Sequence, residues 1–179
     1  MRSERIGSAI GAVGGLAFVL ANASALGSPL DVVARVLGGL LFLAVLALAV
    51  VGGRGDRAEA PPSRRQIRTY GFSVLGMVLA IAAGARLLTW TGYGDLVVLW
   101  VVLVVGLHFL PFARAFTQPL FTVLGWTLVA LALVGAVLAL ALRDSDLAGV
   151  TAVVAGLVLL VTSLWPALTR GRGRARARG

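Results

Sequence analysis

Leu40-Leu41-Phe42-Leu43-Ala44-Val45-Leu46-Ala47-Leu48 decides the fold. Wound as an α-helix, this stretch is apolar on every face, an arrangement that water penalises and lipid accepts. It lies inside a longer apolar run at 32–52, and five similar runs follow or precede it at 6–26, 70–90, 95–113, 120–142 and 147–168. Each is near the ~20 residues an α-helix needs to cross a ~30 Å hydrocarbon layer. The two-residue alternation of a membrane β-barrel strand is absent. The 179-residue chain is 59% hydrophobic and its mean hydropathy is +0.98, too apolar for a soluble domain of this length. The pattern predicts an all-α integral membrane bundle of six transmembrane helices, arranged as three hairpins.

The arginines orient it. With the N-terminus in the cytoplasm, thirteen of sixteen arginines fall on the cytoplasmic side: Arg2, Arg5, Arg54, Arg57, Arg64, Arg65, Arg68, Arg114, Arg170, Arg172, Arg174, Arg176 and Arg178. Only Arg35, Arg86 and Arg143 fall on the other. Cationic loops resist translocation, so both termini are expected inside. Three acids accompany the thirteen arginines (Glu4, Asp56, Glu59), and four stand outside (Asp31, Asp95, Asp144, Asp146). The overall charge of +9 is thus topogenic, facing anionic lipid heads at the cytoplasmic arginine clusters. Nucleic acid is not the expected partner, since the Arg-rich tail lacks interleaved aromatics. No cysteine is present, which removes disulfides, thiolate catalysis and Cys-ligated metals. Sixteen arginines without a lysine, amid abundant Ala, Gly and Val, match a GC-rich bacterial genome, so the expected location is a bacterial cytoplasmic membrane. A competing reading takes 6–25 as a signal peptide ending in A-x-A patterns; the apolar run continuing to Leu26 favours an uncleaved helix.

Between spans, Ser28-Pro29-Leu30-Asp31 has the form of a capping box. Thr91-Gly92-Tyr93-Gly94-Asp95 reads as a turn surrounded by an interfacial group, Trp90, Tyr93 and Trp100. Arg143-Asp144-Ser145-Asp146 places a cation at one helix end and an acid at the next helix start. An Asp opens each even helix, which hints at a repeated two-helix unit that capping alone also explains. The basic loop 53–69 is expected in the cytoplasm, and the tail 170–179 is expected to lack regular structure.

Small residues allow close helix contact where apolar burial gives little drive. Gly7, Gly11 and Gly15 form such a ridge, as do Gly76, Ala80 and Gly84, and Ala148, Ala152 and Gly156. They suit packing within the chain or across a homo-oligomer.

Ionisable groups within spans are the functional suspects. His108 has no second His, Cys or carboxylate nearby in sequence, so no metal site is expected. It reads as an interfacial histidine bonded to a neighbouring helix. Arg86 and Asp95 are expected to form an ion pair across the hairpin, or Arg86 to contact an anion; Arg35 pairs locally with Asp31. Asn22 and Ser24 suit bonds across helices. No catalytic constellation, phosphate-binding loop or cofactor motif is present, and intramembrane hydrolysis lacks a partner for the lone His.

The stretch Gly106-Leu107-His108-Phe109-Leu110-Pro111-Phe112-Ala113-Arg114-Ala115-Phe116, with Pro119 and Gly125, resembles a motif of small multi-pass bacterial membrane proteins of an uncharacterised family. That resemblance implies no activity, cofactor or site. It directs interest to His108, Pro111 and Arg114 as one unit, a Pro-tightened helix end that serves as a hinge or docking corner. The expected function is non-enzymatic packing with itself or another membrane protein. The alternative is a small-solute transporter or channel subunit with His108 and Arg86 near opposite ends of a path.

Overall fold

The computed structural model describes residues 2–51, 64–116 and 119–176, and no strand occurs among them. The elements are α1 (Arg2–Asn22), α2 (Leu30–Val51), α3 (Arg64–Trp90), α4 (Val97–Phe116), α5 (Pro119–Leu142) and α6 (Asp146–Arg176), with short 3₁₀ turns at Ala23–Leu26 and Gly94–Leu96. Six stretches are long and apolar enough to cross a membrane: Ser8–Leu26, Leu30–Val50, Gly71–Trp90, Gly94–Pro111, Pro119–Leu142 and Asp146–Trp165. The chain is an all-helical, multi-pass membrane protein.

Several ends differ from expectation. α3 begins at Arg64, where Ser63-Arg64-Arg65-Gln66 reads as a helix opening, six residues ahead of the apolar run at 70–90, and α4 continues through Pro111 to Phe116 rather than stopping at 113. α6 runs to Arg176, into the tail that composition reads as unstructured from 170. Gly171 and Gly173 each disfavour helix by about 1 kcal/mol, but Arg and Ala favour it, and a helix already nucleated extends without a new nucleation cost. Residues 52–63 of the basic loop and 177–179 of the tail lie outside the described residues.

The turns also depart from their sequence reading. The capping box at Ser28 does not form: α2 starts at Leu30, after a cis Ser28–Pro29 bond, and the Asp31 N–H donates to the Gly27 carbonyl at 3.0 Å. Asp31 and Asp146 do sit in the first turns of α2 and α6, but Asp95 lies in the 3₁₀ turn ahead of α4. α3 ends in a Schellman motif, with Tyr93 N–H on the Leu88 carbonyl (2.8 Å) and Gly92 N–H on the Thr89 carbonyl (3.3 Å). Gly92 supplies the left-handed residue at φ 85°, which costs glycine nothing. α5 ends similarly, with Asp144 N–H on the Ala139 carbonyl (3.1 Å), but there the left-handed residue is Arg143 at φ 53°. The Asp144 carboxylate accepts from the Asp146 N–H at 2.9 Å and caps α6.

The chain divides into two compact units, residues 1–60 with 156–179 and residues 61–155. In the first, glycines seat the helices. A methyl at Gly15 would come within 2.7 Å of the Gly156 carbonyl oxygen, one at Gly11 within 2.8 Å of Ser163 Oγ, and one at Gly38 within 2.9 Å of Val19. The α1 ridge thus faces the second half of α6. The side chain of Gly7's position lies outside the described ones. Ala12, Val19, Ala34, Val45, Leu159 and Leu160 are buried around these contacts.

In the second unit, α4 and α5 cross at Gly106 and Gly125, where a methyl on either would meet the other's carbonyl oxygen at 2.9 Å. Gly135 of α5 receives Thr151 of α6. Leu99, Val102, Leu124, Leu128 and Ala132 are buried there. Phe109 and Phe121 stack nearly parallel across the α4–α5 hairpin at 5.8 Å. Over Gly71–Trp90, by contrast, α3 has no buried residue.

Candidate functional site

The polar groups of the spans are mostly spent on their own helices. Thr89, Thr127, Thr151, Thr162 and Ser163 each donate a hydroxyl to the carbonyl four residues back, a bond that lets a hydroxyl sit in lipid without a neighbour. Asn22 does the same, donating to the Phe18 carbonyl at 2.8 Å rather than bonding across helices as its sequence position suggests. Arg35 meets Asp31 at 3.9 Å, one helical turn apart, as expected.

Two bonds tie α3 to α4. The first is at the end of α4 nearer Pro111. His108 Nδ1 lies 2.9 Å from Ser73 Oγ and 3.2 Å from the Ser73 carbonyl oxygen. With the proton on Nδ1 the ring donates to the carbonyl; without it the ring accepts from the hydroxyl. Ser73 is the partner that the sequence reading did not find for His108. Position alone does not name it: Ser73 stands 19 residues before Gly92 and His108 16 after it, an offset of nearly one helical turn.

A Ser–His contact raises the question of nucleophilic chemistry. Ser73 sits well inside α3, where backbone N–H groups are committed to the helix and none is left to stabilise an oxyanion. Asp95, the carboxylate nearest in sequence, is about 20 Å of helix away at the other end of the α4 span. The contacts shown join α3 to α4 through Ser73 and His108.

Pro111 is half-buried inside α4. It has no N–H to offer the Leu107 carbonyl, so the helix loses one bond a turn after the His108–Ser73 tie. Arg114 is exposed in the last turn, where a cation complements the helix dipole. Those three residues lie on the closing stretch of α4, which ends at Phe116, two residues past Arg114.

The second tie is nearer the α3–α4 turn. Trp100 Nε1 donates to the Ala80 carbonyl oxygen at 2.9 Å, and the indole lies against the bare backbone of Gly84. Trp100 is thus a packing residue of α4 rather than a member of the interfacial aromatic group, which leaves Trp90 and Tyr93, both exposed. Of the Gly76–Ala80–Gly84 ridge, two positions serve this contact. Gly76 has nothing within 4 Å.

Arg86 does not pair with Asp95: among the described residues the ion pair is Arg35–Asp31. Arg86 lines instead an open depression of about 340 Å³ on α3, together with Ala83, Leu87 and Trp90. No group of three or more His, Cys, Asp or Glu suited to a metal ion occurs among the described residues. The chain matches no protein-family model, no curated protein and no solved structure.

Proposed function

We propose that this multi-pass membrane protein works without a catalytic centre, by lateral packing of its helices against a second copy or another membrane protein. The observation that carries the reading is the outward face of α3. Phe72, Gly76, Leu79 and Ala83 follow one another along one side of the helix at spacings of three and four residues, and all are exposed. Gly76 has open space where a side chain would stand, so a partner helix can approach the backbone closely there. α3 is hydrogen-bonded to α4 through Ser73 and Ala80, and these four residues, Phe72 to Ala83, stay exposed.

The test is native mass spectrometry of the protein released from nanodiscs formed directly from its own membrane. The expected result is a defined homo- or hetero-complex that Gly76→Leu dissociates, while Gly39→Leu leaves it intact. Gly39 also has open space around it, but on α2. A monomer for the wild-type chain overturns the reading. A monomer that carries a discrete small solute would favour transport instead.

A further inference from the structure

We infer that the depression around Arg86 is a binding site for the phosphate of an anionic phospholipid, on the side of the bilayer that holds the α3–α4 turn. Arg86 is the one charged residue of the span Gly71–Trp90. A cation within a span requires a counter-charge or a route to water. Among the described residues none supplies a counter-charge: Asp95 is the acid of the same hairpin, and it does not reach the guanidinium. Arg86 lies four residues before the end of α3, about 6 Å of helix rise, and its stem can carry the guanidinium outward to the headgroup level.

The surroundings fit one chemistry. Trp90, one turn beyond Arg86, is 84% exposed, and its indole N–H has no partner among the described residues. Guanidinium and indole thus stand on the same side of one turn, two kinds of donor for the non-bridging oxygens of a phosphodiester. Arginine presents its donors as a planar fork that matches a phosphate bidentately. Ala83 and Leu87, the remaining walls, are apolar and suit the first methylenes of an acyl chain. The charge also opposes one alternative occupant. A second copy packed parallel along this end of α3 would bring two Arg86 side chains together, so a partner helix on the Phe72–Ala83 face and the phosphate at Arg86 meet only at Ala83, which borders both. The lipid site does not depend on the assembly reading.

The experiment places the full chain in phosphatidylcholine nanodiscs that contain a minor fraction of phosphatidylglycerol, and counts the phosphatidylglycerol molecules retained on release by native mass spectrometry. Arg86→Gln is expected to lower the occupancy of one retained molecule about five-fold, the factor for ~1 kcal/mol per arginine. Trp90→Phe, which keeps the ring and removes the N–H, lowers it less. Arg35→Gln, the loss of an arginine already paired with Asp31, leaves it unchanged. Equal retention by wild type and Arg86→Gln overturns the inference, as does equal retention of phosphatidylcholine. Should Arg86→Gln fail to fold, Arg86→Lys decides: it keeps the charge and loses the fork, so it must retain less lipid than wild type. The oligomeric state is read from the same spectra, so failure of this site and failure of the assembly reading are separately visible.

Discussion

α3 and α5 are both long apolar helices of the same compact unit, yet they are used in opposite ways. α5 buries Leu124, Gly125, Leu128, Val129, Ala132, Gly135 and Ala139, while the span of α3 buries nothing. Apolar content does not separate them, because lipid is as good a solvent for Leu as a neighbouring helix is. What separates them is where glycines meet a neighbouring helix. Gly125 lies against the Gly106 carbonyl and Gly135 against Thr151, so α5 is gripped by a neighbour at each. α3 has one such seat, Gly84 under Trp100, and its Gly71 and Gly76 face open space.

The largest expected effect is at the α4–α5 crossing. Gly125→Ala places a methyl 2.9 Å from a backbone oxygen that cannot move alone, and is expected to cost about 1–3 kcal/mol, read from reversible unfolding in mixed micelles. Gly76→Ala, with no neighbour to meet, is expected to change the stability of the monomer by less than about 0.5 kcal/mol. Equal costs at the two positions would break the comparison.

The turns sharpen it. Gly92→Ala should destabilise the α3–α4 turn by about 1 kcal/mol, since φ 85° suits glycine alone. Arg143→Gly, at the corresponding position of the α5–α6 turn, should stabilise by about 0.5–1 kcal/mol in the same assay, because Arg143 holds φ 53° with a side chain. A loss of stability there would mean that the Arg143 side chain contributes more than its backbone strain costs.

Smaller still is the Ser73–His108 tie. A double-mutant cycle of Ser73→Ala and His108→Ala is expected to give a coupling of about 0.6 kcal/mol, the usual size for a hydrogen bond between membrane helices. A coupling near zero would leave Trp100 as the α3–α4 fastener, and Trp100→Phe would then carry the larger loss.

The spans were legible because length and apolarity suffice to mark a membrane helix. The faces were less so. α3 is apolar around most of its circumference, so no periodic pattern shows which side meets α4, and Gly76 and Gly84 look equivalent in sequence although one is open and the other filled. Two contacts within hairpins do have a signature, which is symmetry about the turn. Gly84 and Trp100 each stand eight residues from Gly92, and Gly135 and Thr151 each stand eight from Arg143. Ser73 and His108 depart from this rule, at 19 and 16 residues from Gly92, and so do Gly106, 10 residues before the end of α4, and Gly125, 6 after the start of α5. Read with that rule, the partners of Gly84 and Gly135 are within reach, whereas the histidine's partner and the crossing glycines are not named by position alone. The Arg86–Asp95 pair does not form although both residues flank the same turn: Arg86 lies in an open depression on α3 and Asp95 in a separate 3₁₀ turn.

The central claim is that the outward face of α3 is covered by protein in the native membrane while that of α5 meets lipid. A photo-crosslinking residue at Leu79 or at Leu133 tests it directly, since both side chains are more than half exposed, 60% and 53%. Irradiated in the native membrane, the Leu79 variant should form a discrete protein adduct and the Leu133 variant should label lipid. Lipid labelling alone at both positions would contradict the account.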